Sequence, residues 1–232
     1  MCQSCGCSIV EEEHHEVFTS LMAGNDHLAA HTRQHFDEKN IFAINLMGSP
    51  GCGKTTLLEH LSSNLQKFSV IEGDLATSKD ADRLKARNID AYQVTTGQAC
   101  HLDAQMVHDA LHHISLEGIQ YVIIENVGNL VCPAVYDIGC HLNIAMLSTP
   151  EGDDKVEKYP VMFHSVDAVI ISKTDLKEYV SFDEEKALAA LFKLNPSAKV
   201  FRFDTKNPAG IDSFVAYLEE QQKQLYVSRS TV

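Results

Sequence analysis

The chain's 232 residues suffice for one sizeable α/β core, with the acidic and polar first forty residues left over as a separate arm. A formal net charge of −13, with no basic patch above the acidic background, excludes binding along a nucleic-acid backbone and leaves proteins, metal ions and nucleotide as partners. The sequence shows no signal peptide, apolar leader or transmembrane run, so its seven cysteines are expected as reduced thiols in a cytoplasmic protein without membrane insertion.

The chain opens Met1-Cys2-Gln3-Ser4-Cys5-Gly6-Cys7. Removal of Met1 would give Cys2 a free α-amine, and one amine with the thiolates of Cys2, Cys5 and Cys7 makes an N/S₃ donor set. Square-planar coordination by such donors suits Ni²⁺, whereas a tetrahedral thiolate arrangement suits Zn²⁺. Glu11 to Glu16 reads as a solvated linker. His27, His31 and His35 recur every four residues after Asp26, a candidate N-cap, and so share one helix face. That spacing could serve as a metal comb. With Leu28, Ala29, Ala30 and Phe36 interleaved, however, the segment reads as an ordinary amphipathic lead-in helix with solvated histidines. Residues 1–40 thus form the metal-binding arm and lead-in, 41–226 the main domain, and 227–232 a tail expected to fray.

The apolar run Phe42 to Met47 leads into Gly48-Ser49-Pro50-Gly51-Cys52-Gly53-Lys54-Thr55, which satisfies G-x-x-x-x-G-K-[ST], and an amphipathic helix is predicted over Thr55 to Gln66. Strand, glycine-rich loop and helix in that order make a phosphate-binding loop. Gly48, Gly51 and Gly53 let backbone N–H groups converge on phosphate, Lys54 supplies a point charge, and the Thr55 hydroxyl can ligate Mg²⁺. Cys52 and Thr56 complete the loop, with the Cys52 side chain facing away from the nucleotide.

Further apolar, β-branched runs at 70–71, 91–94, 121–124, 142–147, 168–171 and 200–203 alternate with helical patterns, which predicts a mostly parallel β-sheet flanked by helices. Ligand loops then lie at the strands' carboxyl ends. Asp74 ends the second run and is a candidate for holding Mg²⁺ or positioning water; Glu125 emerges at the end of Tyr121 to Ile124, where an acidic side chain assists the metal. Gly128 allows backbone approach to a γ-phosphate, so Lys54, Asp74 and Glu125 are the candidate catalytic set. Ser172-Lys173-Thr174-Asp175 contains the Lys-x-Asp of a guanine reader: Asp175 can accept from guanine N1 and N2 while the Lys173 stem covers the ring. Ser172 replaces the usual Asn or Thr, and Phe203 to Lys206 replaces the small Ser-Ala element. GTP and GDP are the expected nucleotides.

Cys100-His101, expected to open a helix, and Cys132 offer two thiolates and an imidazole suited to nickel or zinc. Cys100 and Cys132 read equally well as small buried hydrophobes. Cys140-His141 is a weaker candidate pair, and His108, His112 and His113 read as decoration of an exposed helix. The final helix is predicted over about Gly210 to Leu225, with Ile211, Phe214, Val215 and Leu218 as its packing face.

The amino-terminal cysteines, the glycine-rich loop, Glu72-Gly73-Asp74, Gly97 to Ala104 and Glu125 to Pro133 together resemble the HypB family of hydrogenase nickel-incorporation GTPases, in the SIMIBI group of dimerising phosphate-loop proteins. The resemblance covers nearly the whole chain. It implies a high-affinity nickel site at Cys2, Cys5 and Cys7, and a nickel or zinc site at Cys100, His101 and Cys132. It also implies slow GTP hydrolysis, homodimerisation on GTP or metal binding, a HypA-like accessory protein and delivery of Ni²⁺ to a [NiFe]-hydrogenase large subunit. Lys155 and Lys158 are candidates to reach phosphate across a dimer interface. The rivals are a UreG-like urease GTPase, whose Cys-Pro-His is here Cys132-Pro133-Ala134, a non-enzymatic nickel buffer, and an ATP-dependent metal inserter.

Overall fold

A computed structural model describes residues 7–65, 67–75, 79–207 and 209–229, the side chains of 7–18, 209, 228 and 229 excepted. All seven apolar runs are strands: β1 (Phe42–Gly48), β2 (Phe68–Asp74), β3 (Asp90–Thr95), β4 (Tyr121–Glu125), β5 (Leu142–Ser148), β6 (Ala168–Ser172) and β7 (Lys199–Phe203). They form one sheet in the order β3-β2-β4-β1-β5-β6-β7, and every pairing is parallel. Parallel strands are buried on both faces, which is why β1 and β4 read as continuous apolar runs and are buried throughout, while the edge strands β3 and β7 are only partly buried.

Alternation along β1 divides the core. Phe42, Ile44 and Leu46 face Leu57, Leu58 and Leu61 of α2 (Lys54–Leu61), Ala81 and Leu84 of α3 (Lys79–Lys85), and Phe214 and Leu218 of α8 (Ala209–Arg229). On the opposite face Ala43, Val122 and Ile124 pack with Phe36 of α1 (Cys7–Glu38) and Val107 and Ala110 of α4 (Ala104–Ala110). Met47, Ala145 and Ile171 meet Val156 of α5 (Lys155–Lys158), Phe163 of α6 (Pro160–Ser165) and Leu191 of α7 (Glu184–Leu194) on that same side. Each fully buried Leu or Phe contributes about 1.5–3 kcal/mol, so the two layers clamp β1 and hold the loop that follows it at the sheet's centre.

The amino-terminal segment differs from its reading as linker, cap and short helix. One helix of 32 residues spans it, so Asp26 lies inside α1 and caps nothing, and Glu11 to Glu16 is helical. Glu is a good helix former, and no proline interrupts the run. Side-chain bonds fix the carboxyl half of α1. Arg33 makes a bidentate pair with Asp137 at 2.7 and 2.8 Å and donates to the Cys140 carbonyl at 3.0 Å. Asn25 donates to the Asp137 carbonyl and accepts from the Ala104 N–H. Asp37 lies 2.7 Å from His141 Nε2, and His141 Nδ1 accepts from the Ala43 N–H, so Nε2 carries the ring proton. His141 also stacks on Phe42. The Cys140-His141 pair therefore anchors α1 to β1: Cys140 is buried, its thiol pushed well above its usual range by burial, and both His141 nitrogens are engaged. At the other end, α8 continues to Arg229, past the expected stop near Leu225, into the segment read as a fraying tail. Cys2, Cys5 and residues 230–232 lie outside the described residues; Cys7 begins α1, with its side chain undescribed.

Candidate functional site

The glycine-rich loop leaves the carboxyl end of β1. Gly51 and Gly53 have φ of +73° and +104°, in the left-handed region that side chains resist. A Cβ at Gly48 would lie 2.8 Å from Cys52 Sγ and 2.9 Å from the Met146 carbonyl, so this glycine serves close packing. Cys52 is buried, its thiol pushed up to about 11 by burial, and it faces away from the cavity as expected. Lys54 is buried, with Nζ 3.4 Å from the Gly48 and Ser49 carbonyls, folded over its own loop.

A cavity of about 400 Å³ opens at the loop and is lined by Lys54, Thr55, Glu72, Asp74, Arg83 and Glu125 among others. The Thr55 hydroxyl donates to Glu125 Oε1 at 2.9 Å, and β2–β4 pairing sets Glu72 beside Glu125. Glu72 and Glu125 are buried, and Glu72 Oε2 and Glu125 Oε2 have no hydrogen-bond partner among the described residues. Burial, reinforced by Glu125 and Asp74, raises the Glu72 carboxyl to about 8. Burial raises Glu125 to about 7 against the opposing pull of Lys54 and Thr55. Two buried, unpartnered carboxylate oxygens beside a hydroxyl make a hard-cation donor set. Asp74, at the end of β2, turns one oxygen back to the Leu75 N–H at 2.6 Å. Arg83 donates to Glu59 and Asp80 and reaches the Thr56 hydroxyl at 3.4 Å, bringing a cation to the cavity rim. The sequence reading placed Glu72-Gly73-Asp74 among the family marks without giving Glu72 a role, and it passed over Arg83.

The base-reading residues separate. Lys173, with φ of +57°, lines the cavity and donates to the Gly51 carbonyl at 2.6 Å. Asp175 is instead paired with Lys206 at 3.0 Å. Ser172 donates to the Cys52 carbonyl at 2.6 Å, so the departure from Asn or Thr still ties β6 to the phosphate loop.

The second site lies beyond β4. Cys100, His101 and Cys132 bring one donor atom each to within 4.8 Å of one another, with the two sulfurs 2.9 Å apart and the Cys100 sulfur 3.7 Å from His101 Nδ1. The small-hydrophobe reading fails for Cys100, which is exposed. The pair does not open α4 as expected: that helix starts at Ala104, where the Asp103 side chain accepts from the Met106 N–H, and Cys100-His101 occupies the preceding loop. His101 stacks on Tyr136 with centroids 3.9 Å apart, and its partial burial lowers the imidazole below its ordinary value. The Cys100 thiol beside it pushes the Cys132 thiol up.

Two asparagines join the sites. Asn126 Oδ1 accepts from the Leu102 and Val127 N–H groups, while its amide nitrogen donates to Asn45 Oδ1. Asn129 donates through its side chain to the Cys100 carbonyl and through its backbone to the Gly48 carbonyl at 3.1 Å. Gly128 is glycine because a Cβ there would lie 2.8 Å from Pro50 of the phosphate loop. A Cβ at Gly73 would likewise lie 2.8 Å from Leu102, the residue after His101.

This fold and glycine-rich loop define a phosphate-loop nucleotide-binding protein of the SIMIBI class. The family described as CobW/HypB/UreG, nucleotide-binding domain, matches residues 42–202. The chain is similar to the hydrogenase/urease maturation factor HypB of Helicobacter pylori (strain ATCC 700392 / 26695), 43% identical over 218 residues that cover 92% of this chain and 90% of the relative. It is 40% identical to the hydrogenase maturation factor HypB of Escherichia coli K12 over 210 residues, 89% of this chain and 72% of that one. The crystal structure of Helicobacter pylori HypB in complex with nickel superposes with a TM-score of 0.85 at 45% identity, covering 88% of this chain and 97% of that one. A signal recognition particle 54 kDa protein from Aeropyrum pernix, at 12% identity and a TM-score of 0.50, shares the fold. The chain belongs to the CobW/HypB/UreG family, among its HypB members.

Proposed function

We propose that the chain is a GTP-hydrolysing nickel metallochaperone that assists nickel insertion into the large subunit of a [NiFe]-hydrogenase. The observation that carries this reading is the shared segment from Glu125 to Cys132, which lines the nucleotide cavity at one end and supplies a metal donor at the other. Through Asn126 and Asn129 it binds both the Cys100–Leu102 backbone and the phosphate loop.

On binding triphosphate, Lys54 exchanges its two long carbonyl contacts for the β- and γ-phosphates. Thr55, Glu125, Glu72 and Asp74 fit Mg²⁺, which when bound neutralises phosphate charge. The elevated Glu72 and Glu125 carboxyls give up protons as they take up a cation, so nucleotide loading is linked to pH. Guanine requires Asp175 to leave Lys206 and present its carboxylate beside Lys173. Movement of Gly128 against Pro50 on γ-phosphate loss then displaces Asn129, and with it Cys100. Turnover is slow and regulatory.

Nickel is the cargo of Cys100, His101 and Cys132, and zinc is its competitor there. Three donors at an accessible surface leave coordination positions for a second copy, and exposed Val131 and Val135 beside them suit a homodimer formed on GTP or metal binding. Cys2, Cys5 and Cys7 form a separate tight nickel site on the arm, and a HypA-like protein is the accessory partner. Among the described residues no helix is long and apolar enough to cross a membrane; the proposed role is cytoplasmic. The Helicobacter pylori relative is named for urease as well as hydrogenase maturation, which makes a urease a second possible client.

The test is multiple-turnover hydrolysis of GTP and ATP, with and without stoichiometric Ni²⁺. GTP-selective turnover that responds to nickel and disappears in Lys54→Ala supports the reading. Equal turnover of ATP would transfer it to an ATP-dependent inserter, and absence of turnover to a nickel buffer.

A further inference from the structure

A second group of metal-ligating side chains lies away from both sites. α1 carries His31 and His35, α4 carries His108, and His112 follows in the short 3₁₀ turn Leu111–His113. Each pair is spaced i, i+4, so its rings stand one above the other on a helical face. The two helices pack together, and the rings meet across the seam: His31 to His108 at 5.3 Å between centroids, His35 to His108 at 6.5 Å, and His108 to His112 at 5.7 Å. The sequence alone offered two unrelated sets of surface histidines; the fold places them face to face.

We propose that His31, His35, His108 and His112 form an all-imidazole site for a borderline divalent cation, nickel or zinc, that pins α1 to α4. Imidazoles on one tetrahedral or octahedral cation, with metal–nitrogen bonds of about 2.0–2.1 Å, have ring centroids roughly 4.5–5.2 Å apart. The His31–His108 and His108–His112 spacings lie within about half an ångström of that range and His35–His108 about 1.3 Å beyond it, so ring rotation and closure of the seam are needed to bring the nitrogens to a common point. His31 and His112 are exposed and free to turn, while His35 and His108 are half-buried. Thr32, buried beneath the group, has Oγ1 3.5 Å from His108 Nδ1 and so steadies one ring. Neutral nitrogen donors select nickel, zinc or copper over magnesium and calcium, so the site does not compete with nucleotide-bound Mg²⁺. His113 stacks on Tyr92 at 4.4 Å and lies outside the group, and His27 sits one turn before His31 on α1. The site is independent of the nucleotide reading.

The experiment uses the full, tag-free chain with Cys2, Cys5, Cys7, Cys100 and Cys132 changed to Ser, titrated calorimetrically with NiCl₂ at neutral pH. Expected is one remaining equivalent, weakened about tenfold or more by His31→Gln or His108→Gln and unchanged by His27→Gln or His113→Gln. Nickel should also slow hydrogen exchange across residues 27–38. No remaining equivalent, or equal weakening by the two control substitutions, overturns the proposal. If the serine variant does not fold, the wild-type chain decides the matter: after the thiolate sites are filled, further Ni²⁺ should broaden the imidazole resonances of the four named histidines together. Broadening of His27 and His113 first would refute it.

Discussion

The nucleotide cavity and the Cys100–His101–Cys132 cluster are joined by one short segment, yet they are built on opposite principles. The cavity is enclosed: Lys54, Thr55, Glu72 and Glu125 are buried, and positive-φ glycines and strand register set their positions. The metal cluster is open, made of two loops 32 residues apart with one cysteine exposed. An enclosed site suits a reaction that must exclude water and wrong partners. An open site with too few ligands suits a cargo that has to be received and given away. On the proposed function, the difference is how one chain separates timing from transport.

The sharpest way to break the comparison is Lys54→Ala, which should lower GTP turnover by about 10²–10³-fold, on the order of 3–4 kcal/mol, while Ni²⁺ binding at the open site survives. A steady-state assay beside a nickel titration checks both halves. Next is Asn126→Ala, which removes the acceptor of two buried backbone N–H groups and should cost about 2–3 kcal/mol in chemical denaturation. It should also abolish any effect of nucleotide on nickel affinity, and retention of that effect would place the coupling elsewhere.

A pH series probes the enclosed side. The Glu72 carboxyl sits near 8 in the folded chain against 4.5 when free, so the native state holds a proton that the unfolded state releases between those values. Stability of the nucleotide-free chain should therefore be greatest at the acid end of that window and fall as pH rises toward 8, by on the order of 2 kcal/mol over roughly pH 6–8 alone. Glu72→Gln should flatten the slope, and Mg²⁺ with GDP should reverse it; melting temperatures across roughly pH 6–8, the upper part of that window, report both. The smallest effect belongs to Tyr136→Ala, which frees the His101 ring and should weaken nickel binding about tenfold with nucleotide affinity kept. Competition with a chromogenic chelator measures it.

Features coded by contiguous residues were readable in advance. Each β-branched run gave a strand, and the glycine-rich octapeptide gave the loop, because strand burial and phosphate cradling are local demands on a few successive residues. Cys100, His101 and Cys132 could be grouped in advance by donor type and by the family resemblance, but nothing local says how closely loops 32 residues apart will meet. Tyr136 carried no signal, and Asn126 and Asn129 stood only inside the family motif with no role of their own: an aromatic or an amide is ambiguous until its partner is known. Asp26 misled because a good N-cap residue also sits without great penalty inside a helix when tertiary packing, here Ala29 and Phe36 against the core, holds the turns around it. Asp175 was read as a guanine-contacting carboxylate, and its pairing with Lys206 could not be foreseen because it depends on a loop that a short motif does not cover.

The contact between Gly73 and Leu102 bears on how the two sites speak to each other. Because no atom larger than hydrogen fits at position 73, the end of β2 and the metal loop touch through bare surface, and any shift of the strand end must push the leucine aside. On the proposed function, that contact would transmit motion by excluded volume. It draws nothing from charge, so salt should leave it intact, and its stroke could be lengthened or shortened one methylene at a time by changing Leu102 alone.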